Sequence, residues 1–330
     1  MAYVALVTID NTKVPSNQTD FPVYINLADM PSSFWSVVAN GGGDIRCFKS
    51  DGTTELARDV VSCVTGTNIG EIHVKYTGTL SSSGPTLIQI HADGTSSEPS
   101  FSSTYGRNAV WTDYDIVLHM QSGVLDSTGN GHAETSSSGV TTGATGKISN
   151  GSSYSGSSSY SFVNGTFTGS SSARTLSCWV KSDVTTGNRF ALSYGNDASL
   201  QMFGMFSNGS PRWYFTANAS DQDSGVNIST SAFQKLTFKY TGTTQIGYVD
   251  GVAKTSAATS LNTGTGNFTI GNYPAQTGVP LDGTIDEIRL RKSAVSDDWE
   301  TTEYNNQNSP STFYSVAAQT TVNSNFLIFM

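Results

Sequence analysis

The fold is decided by one stretch near the C-terminal end, Leu281-Asp282-Gly283-Thr284-Ile285-Asp286-Glu287-Ile288-Arg289-Leu290-Arg291. Its Asp-Gly pair predicts a tight turn, because glycine accepts backbone angles that other residues resist. The residues that follow predict a strand that ends a large β-domain. Period-two alternation puts Asp286 on the same face as Ile288 and Leu290, while Ile285 and Glu287 face the other way. Asp286 therefore heads an otherwise apolar face, where a carboxylate needs a partner.

The composition of the whole chain favours an all-β protein. Only 13% of the 330 residues are charged, and glycine (33 residues), serine and threonine replace the usual helix formers. The length allows two domains with cores of their own. A formal net charge of −9 and a pI of about 4.8 argue against nucleic acid or anionic lipid as a partner. No apolar run is long enough to insert across a membrane.

Three cysteines, Cys47, Cys63 and Cys178, are too few and too irregularly spaced for a disulfide framework. A hairpin turn at residues 50–53 would place Cys47 opposite roughly residue 56 rather than opposite Cys63. We therefore expect three reduced and mostly buried thiols.

Candidate strands fall into two groups, which are separated by a turn-rich segment at residues 94–108. Residues 1–108 predict a small β-sandwich, and residues 109–316 predict a larger two-sheet sandwich or jelly roll with one helix that begins after Ser296. Residues 317–330 form a C-terminal tail. Its apolar end, residues 325–330, is either one more strand or a terminal anchor or oligomer contact.

Several motifs of the second domain carry a resemblance to a known family. They are Trp111 with Leu118-His119-Met120, Leu125-Asp126-Ser127-Thr128-Gly129-Asn130-Gly131-His132, Leu176-Ser177-Cys178-Trp179-Val180-Lys181, Tyr248-Val249-Asp250-Gly251 and Asp282 to Arg289. In this order and spacing they resemble the laminin G-like, concanavalin A-like jelly roll. The first domain resembles an uncharacterised β-domain that precedes such jelly rolls in bacteriophage virion and bacterial surface proteins. The resemblance is carried by Val7-Thr8-Ile9-Asp10, Thr19-Asp20-Phe21-Pro22-Val23, Gly43-Asp44-Ile45-Arg46 and Asp51-Gly52-Thr53-Thr54-Glu55-Leu56.

The resemblance implies one bound calcium ion between an early loop and the last long strand. Its ligands would be Asp126, Asn130 and Asp286, with backbone carbonyls around Gly129. Ca²⁺ prefers carboxylate, amide and carbonyl oxygens, and it would neutralise Asp286. The alternative is that Asp126 and Asn130 shape a turn while Asp286 accepts backbone hydrogen bonds.

The acidic pattern disfavours an enzyme. Glycosidases that this domain resembles present acids two residues apart on one strand face, whereas Asp286 and Glu287 are adjacent and so face opposite ways. Such a pair cannot flank one glycosidic bond. The four histidines lack the spacing of a zinc site. We therefore expect no catalytic residue.

Four aromatic residues of the second domain are candidates for stacking on sugar rings, namely Trp179, Tyr194, Trp213 and Tyr214. The alternative is that most of them fill the sandwich. Trp213 and Tyr214 are neighbours, so at least one of them points away from the core.

These expectations favour a non-enzymatic surface protein of a bacteriophage virion, such as a head decoration, fibre or tail component that folds in the host cytoplasm. Its lectin-like domain would bind host glycans. The first domain and the tail would contact capsid or tail proteins, or further copies of the chain. The motivation is that both domains are of an extracellular type, yet the sequence starts at the fold without an export signal. The alternative is a bacterial cell-surface adhesin or carbohydrate-binding module.

Overall fold

Two compact units make up the computed structural model, which describes residues 3–266, 268–274 and 278–319. The first unit combines Met1–Val110 with Asn305–Met330, and the second is Trp111–Tyr304. The observed boundary between Val110 and Trp111 lies close to the predicted one, which was placed after residue 108. The C-terminal boundary differs from the prediction, which kept residues up to 316 in the second domain. The reason is that a strand at Tyr314–Gln319 pairs with the first strand of the chain.

The first unit contains two antiparallel sheets in its described residues. Its strands are β1 (Tyr3–Ile9), β2 (Gln18–Asn26), β3 (Arg46–Lys49), β4 (Glu55–Leu56), β5 (Arg58–Val64), β6 (Ile69–Leu80), β7 (Thr86–Ala92) and β23 (Tyr314–Gln319). They are arranged in the orders β23-β1-β7-β3-β4 and β2-β6-β5. Three one-turn helices accompany them: α1 (Ser32–Trp35), α2 (Arg107–Val110) and α4 (Pro310–Phe313). Residues 317–319 of the predicted tail thus lie in β23, while residues 325–330 lie outside the described residues.

Sequence alternation explains the first unit's buried faces. Ala5, Val7 and Ile9 of β1 are all fully buried, as one face of a half-buried strand should be. Cys47 pairs with Leu56, which confirms the predicted hairpin register. Like Cys63 and Cys178, Cys47 is a free and buried thiol. Burial raises the pKa of Cys47 to about 12 and that of Cys63 to about 11, so both are protonated at neutral pH.

The second unit is a two-sheet jelly roll. Its strands are β8 (Tyr114–Leu118), β9 (Ala133–Ser138), β10 (Val140–Thr145), β11 (Asn150–Ser155), β12 (Tyr160–Asn164), β13 (Arg174–Ser182), β14 (Asn188–Gly195), β15 (Met202–Asn208), β16 (Arg212–Thr216), β17 (Gln222–Asn227), β18 (Gln234–Tyr240), β19 (Thr244–Val249), β20 (Val252–Ala258), β21 (Phe268–Ile270) and β22 (Asp282–Arg291). One sheet has the order β10-β11-β22-β13-β18-β19-β20, with β8 also paired to β22. The other has the order β17-β16-β15-β14-β21-β12-β9.

The core of the second unit lies between these two sheets. Phe203 of β15 and Phe238 of β18 stack across the gap, with ring centroids 4.0 Å apart. Leu176, Cys178 and Val180 alternate along β13 and are fully buried in the same cluster. The two faces that meet here therefore follow the period-two pattern of their strands.

The stretch at residues 281–291 forms a central strand, but two details of its prediction were wrong. Gly283 lies inside β22 and not in a turn; glycine is required because a Cβ there would come within 2.2 Å of the Lys181 carbonyl oxygen. A β-bulge then interrupts the alternation, with Glu287 at a φ of 50°. The extra residue brings Ile285 into the core together with Ile288 and Leu290.

The predicted C-terminal helix is present as α3 (Asp297–Asn308). The backbone N–H of Trp299 donates to Ser296 Oγ at 3.0 Å, so Ser296 caps the first turn as its residue type predicts. Among the helices of the described ranges, none is both long enough and apolar enough to cross a membrane.

Candidate functional site

Asp126, the first predicted calcium ligand, lies on the turn after β8. Its Oδ1 accepts the backbone N–H groups of Val117 at 3.3 Å and Thr128 at 2.9 Å. Its Oδ2 accepts the N–H of His132 at 3.0 Å, and the Thr128 hydroxyl donates to the same carboxylate. These contacts are those of a side chain that shapes a turn.

The other two predicted ligands are held by different segments. Asn130 Nδ2 donates to the carbonyls of Tyr114 at 3.1 Å and Asp115 at 2.7 Å. Asp286 Oδ2 accepts the N–H groups of Lys147 at 2.8 Å and Ile148 at 2.9 Å. A Ca²⁺ site needs several oxygens whose lone pairs converge on one point, whereas N–H groups point at these carboxylates. The observed contacts are those of the alternative, in which Asp126 and Asn130 shape a turn and Asp286 accepts backbone hydrogen bonds, and calcium binding stays a prediction.

Three of the four predicted sugar-stacking residues are buried. Trp179 is fully buried, stacks on Tyr304 at 5.7 Å and has the Lys147 ammonium 4.9 Å above its ring. Tyr194 is fully buried in the core, and its hydroxyl donates to the Thr168 carbonyl at 2.7 Å. Neither ring presents an open face, which assigns both residues to packing.

Trp213 and Tyr214 are divided between the two faces of β16. Trp213 belongs to the core and donates through Nε1 to Gln234 Oε1 at 2.8 Å. Tyr214 is half-buried on the opposite face and packs against Phe206, with ring centroids 5.8 Å apart. The expectation that one of the two points away from the core is therefore met by Tyr214.

Tyr214 belongs to a second apolar cluster, on the outer face of the seven-stranded sheet. Strand β15 sends Phe203 and Met205 into the core, and the alternate residues Met202 and Phe206 to this outer face. The cluster consists of Phe190, Met202 and Phe206, with Tyr214, Tyr273 and Val279 packed against it. Phe190, Met202 and Phe206 are 2–7% exposed, so they form a second, smaller core, and the partly buried Tyr214, Tyr273 and Val279 cover it.

A cavity of about 300 Å³ opens on this cluster and is here named the outer-face pocket. It is lined by Asn188, Phe190, Met202, Phe206, Thr216, Asn218, Ala219, Asp221, Tyr273 and Val279. Phe190 stacks on Phe206 at 4.8 Å and meets Tyr273 edge-on at 5.1 Å. Concave sites with apolar walls and a few polar groups are the usual form of a small-molecule site.

The polar rim of the outer-face pocket is organised around two carboxylates. Asp197 accepts the hydroxyl of Tyr273, and it accepts Asn218 Nδ2 at 2.9 Å. Asp221 Oδ1 accepts the hydroxyl of Thr216 at 2.5 Å. The rim therefore holds side chains that can accept and donate hydrogen bonds beside an aromatic wall.

The backbone at this rim adopts a conformation that most residues avoid. Asn218 and Ala219 have φ values of 57° and 68°, in the left-handed region. Such strain persists only where the surroundings hold it in place, and it concentrates at functional sites. The loop after β16 is thus fixed in a form that presents Asn218 to the pocket.

The acids around the bulge in β22 take part in a buried ionic network. Arg289 contacts Glu287 at 2.6 Å and Glu303 at 2.8 Å, and Lys235 contacts Glu300 at 2.6 Å and Glu303 at 2.8 Å. Burial alone would raise the pKa of Glu303, but Lys235 and Arg289 outweigh it and lower that pKa to about 2. The network joins α3 to β18 and β22, so these carboxylates hold the helix against the sheet.

Sequence reasoning missed Phe190, Phe206 and Tyr273 as site residues. One signal was available: β15 is apolar on both faces, since Met202 and Phe206 alternate with Phe203 and Met205. A strand with only one face in the core does not need that pattern. Tyr273 carries no comparable signal, because it lies on a loop.

Residues 155–299 match the laminin G-type family model of the concanavalin A-like lectin/glucanases superfamily. No curated protein matches the chain in sequence.

Among solved structures, the chain is similar to domain 4 of AbnA, a GH43 extracellular arabinanase from Geobacillus stearothermophilus, in complex with arabinotriose. The identity is 20% and the TM-score 0.46, over 58% of this chain and 98% of that domain. It is also similar to the botulinum neurotoxin serotype D binding domain, at 13% identity and a TM-score of 0.48, over 61% of this chain and 53% of that one. The chain thus spans about half of the toxin domain. On the family match, the second unit of this chain is a laminin G-like jelly roll of the concanavalin A-like lectin/glucanase superfamily.

Proposed function

We propose that this protein is a non-enzymatic glycan-binding protein and that the outer-face pocket is its sugar site. The observation that carries the proposal is the cavity of about 300 Å³ in which three aromatic rings meet amide, hydroxyl and carboxylate groups. All of its lining residues fall inside the segment that matches the lectin/glucanase superfamily. In this proposal the stacking ring is Tyr273, which is partly buried, and the buried rings of Phe190 and Phe206 support it from below.

The physical argument follows from the two kinds of surface on a sugar ring. Its C–H faces are apolar and pack well against aromatic side chains such as Tyr273. Its hydroxyls need polar partners, which Asn188, Asn218 and Asp221 supply at the rim. Hydrogen bonds to carboxylates are stronger than neutral ones, so Asp221 would fix the orientation of a bound sugar.

Replacing Tyr273 with alanine tests this proposal. The full chain is first applied to a glycan array, and the affinity for its best ligand is then measured by calorimetry. We expect Tyr273→Ala to weaken binding at least tenfold, about 1.4 kcal/mol, because an aromatic wall and a rim hydroxyl are lost together. The matched control is Tyr105→Ala, a tyrosine that is 40% exposed in the first unit. Equal affinities for both variants, or no glycan bound at all, would contradict the proposal.

We further propose that the protein is displayed on a bacteriophage virion, with the first unit attached to other virion proteins. The setting is motivated by the resemblance that the sequence of the first domain suggests to β-domains of virion and bacterial surface proteins. The alternative setting is a bacterial cell surface, where the same pocket would act as an adhesin. Gold-labelled antibody against the chain should decorate intact phage particles, whereas decoration of uninfected cells alone would select the adhesin.

A further inference from the structure

We propose that the outer-face pocket selects uncharged or amine-bearing sugars and excludes sugars that carry a carboxylate, sulfate or phosphate group. This inference rests on the proposed function and adds the chemical class of its ligand. Two carboxylates stand at the rim: Asp221 lines the pocket, and Asp197 holds Tyr273 and Asn218 in place. None of the described lining residues is a lysine, arginine or histidine.

The two arginines nearest in sequence to the lining residues, Arg189 and Arg212, contact groups that do not line the pocket. Arg189 lies between the lining residues Asn188 and Phe190, so strand alternation directs it away from the pocket. Its guanidinium donates to two backbone carbonyls at 3.0 Å. Arg212 pairs with Asp223 at 3.0 Å. An acidic sugar would therefore meet the carboxylates of Asp221 and Asp197, while none of the described lining side chains carries a positive charge.

The size of the pocket restricts the range of possible ligands further. Its volume of about 300 Å³ lies at the lower end of the range of about 300–1,000 Å³ that is usual for small-molecule sites. It accommodates one sugar ring, or about two, rather than a long segment of polysaccharide. A sugar bound in so small a pocket has its substituents close to the lining side chains, so a charge on the sugar would lie near Asp221.

A matched pair of ligands tests the selectivity. The pair consists of the methyl glycoside of the neutral hexose that binds most tightly and the same glycoside with its CH₂OH group oxidised to a carboxylate. We expect the neutral member to bind at least tenfold more tightly at low ionic strength, and the difference to shrink when salt screens the rim charges. The amine-bearing counterpart should bind at least as tightly as the neutral sugar.

The variant Asp221→Asn provides a second measurement. It removes one rim charge and keeps the shape, so the ratio of neutral to acidic affinity should fall at least about threefold. An acidic sugar that binds the unmodified protein as tightly as its neutral partner would overturn the selectivity while leaving the proposed function intact. A ratio unchanged by Asp221→Asn would also overturn it. Failure of every sugar to bind would overturn both proposals.

Discussion

Replacing Lys235 with methionine is expected to lower the free energy of unfolding of the second unit by about 3–5 kcal/mol, because it leaves the buried carboxylate of Glu300 without its cation and Glu303 with Arg289 alone. Lys235 is 1% exposed and contacts Glu300 at 2.6 Å and Glu303 at 2.8 Å, both of which are buried. Burial alone would lower the pKa of Lys235, but these two carboxylates raise it, so the ammonium stays charged. Without the Lys235 ammonium, the free-energy cost of burying these carboxylates is no longer fully compensated.

Urea unfolding followed by tryptophan fluorescence measures this effect, since four of the five tryptophans lie in the second unit. The control is Arg212→Met, which removes an exposed ion pair and should cost less than about 1 kcal/mol. Adding Glu300→Gln to Lys235→Met should restore part of the loss, because one unpaired charge is then neutral. A similar small cost for Lys235→Met and Arg212→Met would show that the network is not buried as described.

Replacing Trp213 with alanine is expected to cost about 3–5 kcal/mol of unfolding free energy. The indole fills the core between the sheets and donates to Gln234, so the change leaves both a cavity and a lost hydrogen bond. Replacing its neighbour Tyr214 with alanine should lower the free energy of unfolding by only about 1–2 kcal/mol, because that ring is half-buried on the outer face.

Comparing the replacements of Trp213 and Tyr214 with alanine measures directly which face of β16 lies in the core. Both variants are compared by the same urea titration, with near-ultraviolet circular dichroism to confirm native packing in the absence of denaturant. Equal costs at the two positions, or a larger cost at Tyr214, would reverse the assignment of faces on which the outer-face pocket depends.

Much of the architecture could be predicted because it follows from local patterns. Composition and turn residues favoured an all-β chain, and alternation located many of the strands. The cap at Ser296 placed the start of α3, and the hairpin at residues 50–53 set Cys47 opposite Leu56. The motifs around Asp126 and residues 281–291 carried the resemblance to laminin G-like domains, which the family match to residues 155–299 confirms.

The bulge at Glu287 and the return of the chain to the first unit could not be predicted in this way. A bulge adds one residue to one strand, and only the pairing with β13 shows where it falls. Likewise β23 owes its place to pairing with β1, about 300 residues earlier in the chain. Both features depend on contacts that a local pattern does not contain.

The candidate site was missed because alternation gives two faces but does not say which one is covered. Trp213 and Tyr214 were equally good candidates from sequence, and the sheet packing alone separates them. The pocket itself draws on four separate segments, from Asn188 to Val279. Aromatics that seemed suited to sugar, such as Trp179, were drawn into packing because large apolar rings gain most from burial.

The methyl groups of methionine offer the most direct test of the sugar site. Met202 lines the outer-face pocket, whereas Met205 lies three positions along the same strand in the core. In a titration of methyl-labelled full-length protein with its best glycan, we predict a dose-dependent shift of the Met202 signal and no shift at Met205. A saturable shift at Met205 or at Met120, with the Met202 signal unmoved, would place the ligand elsewhere and contradict the account.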